Sequence, residues 1–347
     1  MKKILGVLLV LALVLSAVSA FAEEEKVLTI YTWEEYVDYD TIARFEDETG
    51  SKVNFVACST NEEMLLKLQN GATDYDIVIA SDYTIDAMVQ QGLVLELDKE
   101  KLPNWGNLNP AYLNQYYDPD SRYSMPYTAG TPMIVYDPAQ VDFEINSFAD
   151  LWDERLADSV CVLDDARVTI GAVLKMLGYS YNTTDADQLA QAEERLNALR
   201  PNIRMFAYDA AASSLLGGEC SVAYMFTPYV AICLLDNPDL IAVNPSEGIG
   251  YGIDNAVIPA ASRHPENAHM FLNYLMDAEV AAGVAAYQYY INPNGAADPV
   301  LKEIAPELEA LNCFHIPEEL YATKEFVEYL GENESLYQDI WTRFKLG

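Results

Sequence analysis

The chain has 347 residues, about half of them apolar, and its 54 acidic residues outnumber its 20 basic ones to give a formal charge of −34. This charge argues against nucleic acids and anionic membranes as partners, because like charges repel. It favours a cationic ligand only weakly, since an acidic surface also serves solubility alone.

The N-terminus has the pattern of a secretory signal. Lys2 and Lys3 precede an apolar run over 4–18, and Ala20-Phe21-Ala22 has the small-x-small form that signal peptidases cleave. The run is shorter than the roughly 20 residues that a membrane span needs. We therefore predict a signal peptide over residues 1–22, with an uncleaved anchor as the alternative.

Cleavage would remove two lysines and no acid, so the formal charge would change from −34 to −36. No other segment is apolar and long enough to span a membrane, and no cysteine near the cleavage site offers a lipid anchor. We expect a soluble, monomeric protein in the periplasm or secreted, without membrane insertion. The roughly 325 remaining residues suffice for a large core, most naturally divided between two lobes.

Strand and helix patterns alternate along the first part of the mature chain. Strands are predicted over 27–31, 52–56 and 76–80, and helices over 40–50, with Asp40 as N-cap and Gly50 as the stop, and over 61–70. This alternation indicates a parallel sheet with helices on both faces.

The same alternation returns further along the chain. Strands are predicted over 160–163 and 222–226, and helices over 169–177 and 186–199. A proline-containing stretch over 98–130 and a turn-rich stretch over 244–250 separate these blocks. We predict an α/β protein of two lobes, with 26–130 and 254–289 in the first and 131–253 and 290–347 in the second.

Aromatic and acidic residues recur where the predicted strands end. In open parallel sheets, ligands lie beyond the carboxyl ends of the strands. A cation buried between two lobes needs carboxylates for its charge and ring faces for its methylene groups. The residues that follow the strands are Trp33, Glu34, Glu35 and Tyr36, then Ser81, Asp82 and Tyr83, then Asp164 and Asp165, and finally Phe226, Thr227 and Tyr229.

Eight stretches of the mature chain match one known family, in order and at near-constant spacing. They are 31–37 (YTWEEYV), 74–78 (DYDIV), 81–83 (SDY), 150–152 (DLW), 163–167 (LDDAR), 177–185 (LGYSYNTTD), 254–259 (DNAVIP) and 290–294 (YINPN). In these stretches, and over nearly the whole mature chain, the sequence resembles the periplasmic polyamine-binding proteins of bacterial importers.

The resemblance implies a type II periplasmic-binding-protein fold that holds putrescine or spermidine between its lobes. It also implies delivery to an ABC permease with its ATPase subunits, and neither cofactor nor metal. The family's binding residues would fall on Trp33, Tyr36, Ser81, Tyr83, Asp165, Phe226, Asp254 and Tyr290, with Phe226 in place of a tryptophan.

Some positions depart from the family pattern. Val168 replaces a glutamate, Gly252 replaces an aromatic residue that Tyr251 could substitute, and Val327 replaces a glutamine. Glu34 stands where the family has threonine, so we predict that it binds the ligand and compensates for the acid missing at Val168. These changes leave open which polyamine is preferred.

Asp164 and Asp165 both precede a predicted helix, and aspartate is a common N-cap. We assign the ligand contact to Asp165 on the resemblance, with capping of this helix as its alternative, and a capping or structural role to Asp164. Asp185 is predicted to cap the next helix.

Other functions remain open. An exported hydrolase is the main alternative from another class, although no nucleophile elbow, zinc-protease or P-loop motif occurs. A second alternative is the same fold with a metal ion, a sugar or an amino acid as ligand. Arg167 is the candidate partner for the carboxylate of an amino acid. A structural or adhesive role is the third.

Five cysteines match no zinc template. We expect buried thiols or one disulfide of undetermined pairing among Cys58, Cys161, Cys220, Cys233 and Cys313.

Overall fold

A computed structural model describes residues 26–347, so the predicted signal peptide lies outside the described residues. The described chain forms two mixed sheets with helices packed on their faces. The strands are β1 (Val27–Thr32), β2 (Lys52–Ala57), β3 (Ile77–Ser81), β4 (Ser124–Gly130), β5 (Met133–Tyr136), β6 (Val160–Leu163), β7 (Ile203–Ala207), β8 (Val222–Met225), β9 (Ile241–Val243), β10 (Gly250–Val257) and β11 (Glu325–Phe326).

The helices alternate with these strands and add a helical C-terminal part. They are α1 (Tyr39–Thr49), α2 (Asn61–Gln69), α3 (Asp82–Gln90), α4 (Ala166–Met176), α5 (Ala186–Leu199), α6 (Ala211–Leu216), α7 (Thr227–Asp236), α8 (Pro265–Leu275), α9 (Ala278–Gln288), α10 (Asp298–Ile304), α11 (Pro306–Glu309), α12 (Glu318–Tyr321) and α13 (Glu334–Leu346).

The first sheet has the strand order β11-β10-β3-β1-β2, with β4 on the other side of β10. Strands β1, β2 and β3 are parallel, whereas β10 runs antiparallel to β3 and β4. The second sheet has the order β7-β6-β8-β5-β9, with β6 parallel to both β7 and β8. The predicted α/β class with sheets flanked by helices is confirmed.

The chain passes between the sheets from β4 to β5 and again from β9 to β10. All of β10, and also β11, pairs within the first sheet. The C-terminal helix α13 instead packs with α4 and α5 beside the second sheet. The predicted lobe boundaries stay a prediction.

Two predicted helix starts can be compared with the structure. The N-cap of α1 is Asp38, whose carboxylate accepts from the N–H groups of Asp40 and Thr41, so the prediction of Asp40 was wrong. An acid two residues earlier supplies the same cap, and Asp40 lies in the first turn. The cap at Asp185 is confirmed by its hydrogen bonds from the N–H groups of Asp187 and Gln188.

The two helical glycines Gly171 and Gly283 should respond oppositely to alanine. A Cβ added to Gly171, in α4, would overlap ring carbons of the buried Tyr181, whereas no atom lies within 4 Å of one added to Gly283 in α9. We expect Gly171→Ala to lower the free energy of unfolding by about 2 kcal/mol or more, because overpacking forces the ring to move. Gly283→Ala should raise it by up to about 1 kcal/mol. Urea denaturation of both variants tests this, and a stable Gly171→Ala protein would contradict the packing of Tyr181.

None of the helices in residues 26–347 is long and apolar enough to cross a membrane.

Candidate functional site

A cleft of about 930 Å³ is lined by residues of both sheets and of the helices that follow their strands. Its lining includes eight of the nine predicted site residues, and Glu34 is the exception. The eight are Trp33, Tyr36, Ser81, Tyr83, Asp165, Phe226, Asp254 and Tyr290. That they bind a ligand stays a prediction.

Asp254 lies where β10 passes between β3 and β4. In the strand register it is opposite Ser81 on one side and Thr128 on the other. Its Oδ2 accepts hydrogen bonds from the Tyr36 hydroxyl at 2.5 Å and from Thr128 at 3.3 Å. Burial raises the pKa of Asp254, and the hydrogen bonds from Tyr36, Ser81 and Thr128 partly oppose that rise. A carboxylate in this position gains from a neighbouring cation.

An aromatic wall surrounds this carboxylate. The Tyr36 ring lies 4.9 Å from Trp33 and 5.8 Å from Tyr290 between centroids. Tyr127 and Gln288 donate hydrogen bonds of 2.9 and 2.8 Å to the Tyr36 carbonyl and fix its backbone. These ring faces are suited to the methylene groups and the charge of an alkylammonium ion.

Tyr290 reaches the wall because helix α9 ends in a left-handed residue. Tyr289, the C-cap, has φ 59° and donates its N–H to Ala285. A left-handed tyrosine is uncommon, since the Cβ crowds the backbone. The turn brings Tyr290 into the cleft lining, against Gly130 of β4.

Ser81 and Tyr83 follow β3 and share one partner. The Asn61 side-chain amide donates to the Ser81 hydroxyl at 3.1 Å and to the Tyr83 hydroxyl at 2.8 Å. Asn61 also accepts from the Ser81 N–H at 3.1 Å. The first residue of α2 therefore orients both side chains, a role that the sequence analysis did not assign.

Asp82 is a further buried acid in the lining, and it was not among the predicted site residues. Its carboxyl accepts from the N–H groups of Tyr83 at 2.7 Å and Ile253 at 3.2 Å. Burial raises the pKa of Asp82 well above its usual range, and the charge of Asp254 adds to this rise. Its place between Ser81 and Tyr83, directly after a strand, was the available signal.

Of the two adjacent acids, Asp165 caps the helix. It is the N-cap of α4 and accepts from the Val168 N–H at 2.9 Å through Oδ1. Asp164 accepts from Trp341 and Lys345 of α13, so of the two roles predicted for it the structure shows the structural one and not the cap. That Asp165 binds the ligand stays a prediction. Both acids line the cleft. Burial raises the pKa of Asp165, and the Val168 N–H and the Arg167 charge oppose the rise.

Aromatic residues that follow strands of the second sheet also line the cleft. Tyr208 follows β7, and its ring lies 5.4 Å from Phe226 and 6.2 Å from Tyr229. Tyr229 donates a 2.7 Å hydrogen bond to Asp209. Tyr208 and Asp209 were missed because β7 was not predicted, so the end of that strand was not inspected.

Glu34 and Glu35 differ in their position relative to the cleft. Both are exposed in the short turn after β1, but Glu35 lines the cleft and Glu34 does not. The predicted ligand contact of Glu34 therefore has no geometric support in the lining.

The three positions that depart from the family pattern, Val168, Gly252 and Val327, all line the cleft. Tyr251 lines the cleft as well. Its side chain is buried, packs 5.6 Å from both Tyr321 and Phe326, and shares a 2.9 Å hydrogen bond with the Tyr321 hydroxyl. That it substitutes for a ring at Gly252 stays a prediction.

Arg167 is the only basic residue among those that line the cleft in the described chain. It is buried and already paired, with Nη1 2.7 and 2.8 Å from the two carboxylate oxygens of Glu334. Nη2 donates to Asn182 at 2.8 Å, and the guanidinium lies 4.5 Å from the Tyr337 ring centroid. The lining thus has several acids and one neutralised base.

Within residues 26–347, no group of three or more His, Cys, Asp or Glu side chains is arranged to hold a metal ion. All five cysteines are free thiols, and all but Cys58 are buried.

Comparison with known proteins identifies relatives across the whole described chain. Residues 28–282 match the family model described as bacterial extracellular solute-binding protein. The spermidine/putrescine-binding periplasmic protein of Salmonella typhimurium is 33% identical over 340 residues, which cover 97% of this chain and 96% of the relative. The putrescine-binding periplasmic protein PotF of Escherichia coli is 34% identical over 320 residues, 86% of each chain.

A solved structure described as a putative spermidine/putrescine ABC transporter from Listeria monocytogenes superposes with a TM-score of 0.85. It is 33% identical, and the match covers 92% of this chain and 99% of that one.

Proposed function

The chain belongs to the family of bacterial extracellular solute-binding proteins, and from this membership we propose that it binds a small linear polyamine and delivers it to an ABC-type importer. Relatives of this chain are named for binding spermidine and putrescine, and they match it over nearly its full length.

The charge balance of the cleft carries the proposal. Asp82, Asp165 and Asp254 line it, and burial raises the pKa of all three carboxyls. Arg167 does not balance them, because Glu334 already neutralises it. A desolvated carboxylate without a counterion is costly, so a ligand that brings ammonium groups is strongly favoured.

The aromatic residues account for the carbon part of the ligand. Trp33, Tyr36 and Tyr290 form a wall on the first sheet, and Tyr208 with Phe226 forms one on the second. An alkyl chain between two ammonium groups needs apolar cover on both sides, and rings also attract the charges.

We place the protein outside the cytoplasmic membrane, as a monomer that meets the permease and its ATPase subunits there. The signal pattern over 1–22 and the periplasmic relatives support this location. The protein acts as a carrier and not as an enzyme, so bound polyamine should be recovered chemically unchanged.

Putrescine or spermidine at millimolar concentration should raise the melting temperature by roughly 5 °C or more. A ligand that binds only the folded chain stabilises it by mass action, by about 4 kcal/mol at a thousand times its dissociation constant. Thermal scans with 1,4-butanediol, which has the carbon chain of putrescine without its charges, are the control. The absence of a shift with every polyamine, beside a shift with another solute class, would refute the proposal.

A further inference from the structure

One part of the cleft lining carries three uncharged residues, Val168, Gly252 and Val327. Gly252 lies on the same face of β10 as Asp254, two residues away. Strand β11 pairs with β10 up to Tyr251 and Phe326, and Val327 is the next residue of the chain.

Val168 closes this end from the second lobe. It lies in the first turn of α4 and belongs to the apolar cluster against which Val327 packs. The segment around Val327 is held from both sides, by a 3.1 Å hydrogen bond from Tyr116 to the Val327 carbonyl and by one of 3.1 Å from Arg167 to the Glu328 carbonyl.

The basic residue at this end carries no free charge. Arg167, the one basic lining residue in the described chain, directly precedes Val168, and Glu334 neutralises it. The acid next to this position is Asp165, whose carboxylate accepts from the Val168 N–H at 2.9 Å. The side chains of Val168 and Val327 themselves offer no anion to a second ammonium group.

There is also room at this end. An added Cβ at the exposed Gly252 would have no atom within 4 Å, apart from its chain neighbours. The space over Gly252 is therefore open.

We propose that this end of the cleft binds an acyl-capped amine. The preferred ligand is then a monoacylated polyamine whose charged amines lie at Asp254 and farther along the cleft from Gly252. An acyl group removes the charge of one terminal amine and adds apolar volume over Gly252. The inference rests on the proposed polyamine-binding function and specifies its ligand.

Calorimetry with four ligands tests the inference on the unaltered protein. The ligands are putrescine, spermidine and the two monoacetylated isomers of spermidine. We expect one acetylated isomer to bind at least about tenfold more tightly than spermidine. Spermidine binding as tightly as both isomers, or more tightly, would overturn the inference. If putrescine and all the others fail to bind, the proposed function itself fails.

Val168→Glu provides an independent test. Glutamate at the third helical position favours the helix dipole, so the fold should accept it. The added carboxylate should shift the preference toward spermidine by about tenfold. Val168→Gln, of nearly the same size but uncharged, should keep the preference for the acetylated isomer. A folded Val168→Glu protein with an unchanged preference would place the acyl group elsewhere and overturn the assignment.

Discussion

Asp254→Asn should weaken polyamine binding by about a hundredfold, equivalent to about 3 kcal/mol. Asparagine keeps the size of the side chain and can still accept from the Tyr36 hydroxyl, but it removes the charge. A buried ammonium left without its anion loses several kcal/mol. Calorimetry with putrescine measures the loss.

Protonation of Asp254 should weaken polyamine binding as Asp254→Asn does. Burial raises the pKa of Asp254. As the pH falls, Asp254 is therefore protonated at a higher pH than an ordinary aspartate. Ligand affinity should therefore decrease on acidification, with release of protons on binding, and the Asp254→Asn protein should lose part of this pH dependence.

Glu34→Gln is the matched control, because Glu34 is exposed and lies outside the cleft lining. It should change affinity less than twofold, whereas Glu35→Gln, at the neighbouring lining position, should weaken binding measurably. A tenfold loss at Glu34 would instead support the prediction made from sequence. Unchanged affinity in Asp254→Asn would remove this aspartate from the site.

Arg167→Met should lower the free energy of unfolding by about 3 kcal/mol in the absence of ligand. The substitution leaves the Glu334 carboxylate without its partner and removes the cation over the Tyr337 ring. Breaking a buried ion pair from one side costs about 3–5 kcal/mol, and the partial exposure of Glu334 puts this pair near the lower limit. Urea denaturation provides the measurement.

Arg343→Met is the control for this variant. Arg343 of α13 also makes two hydrogen bonds to one glutamate, Glu193 of α5, but the arginine is exposed. Water stabilises both charges after the pair is broken, so the loss should be much smaller. Equal losses of unfolding free energy in the two variants would show that burial does not determine how much Arg167 contributes to stability.

The alternating pattern of the sequence predicted the local elements well. Strand 160–163 and helix 186–199 have the predicted bounds, since apolar periodicity and the Asp185 cap are both local signals. Strands β4, β5, β7, β9, β10 and β11 were not predicted, and neither was helix α3. The strands pair with partners that are distant in sequence, so no local pattern specifies them.

The candidate site was predictable to the extent that its residues follow predicted strands. Trp33, Ser81 and Asp165 come directly after such strands, and resemblance supplied Asp254 and Tyr290. Asp209 was missed because it follows the unpredicted β7. Two adjacent glutamates follow β1, and two adjacent aspartates follow β6. The local turn of the backbone decides which glutamate lines the cleft and which aspartate caps α4, and a short sequence does not encode that turn.

Calorimetric titration of the protein without its signal peptide with putrescine and spermidine, at low and at moderate salt, tests the central claim most directly. We predict one polyamine per chain and an affinity that falls only modestly with salt, because paired charges inside a cleft are screened less than surface charges. Many weak sites with a steep salt dependence, or no binding at all, would show that the acidic exterior attracts polyamines without a defined site, and would contradict the account.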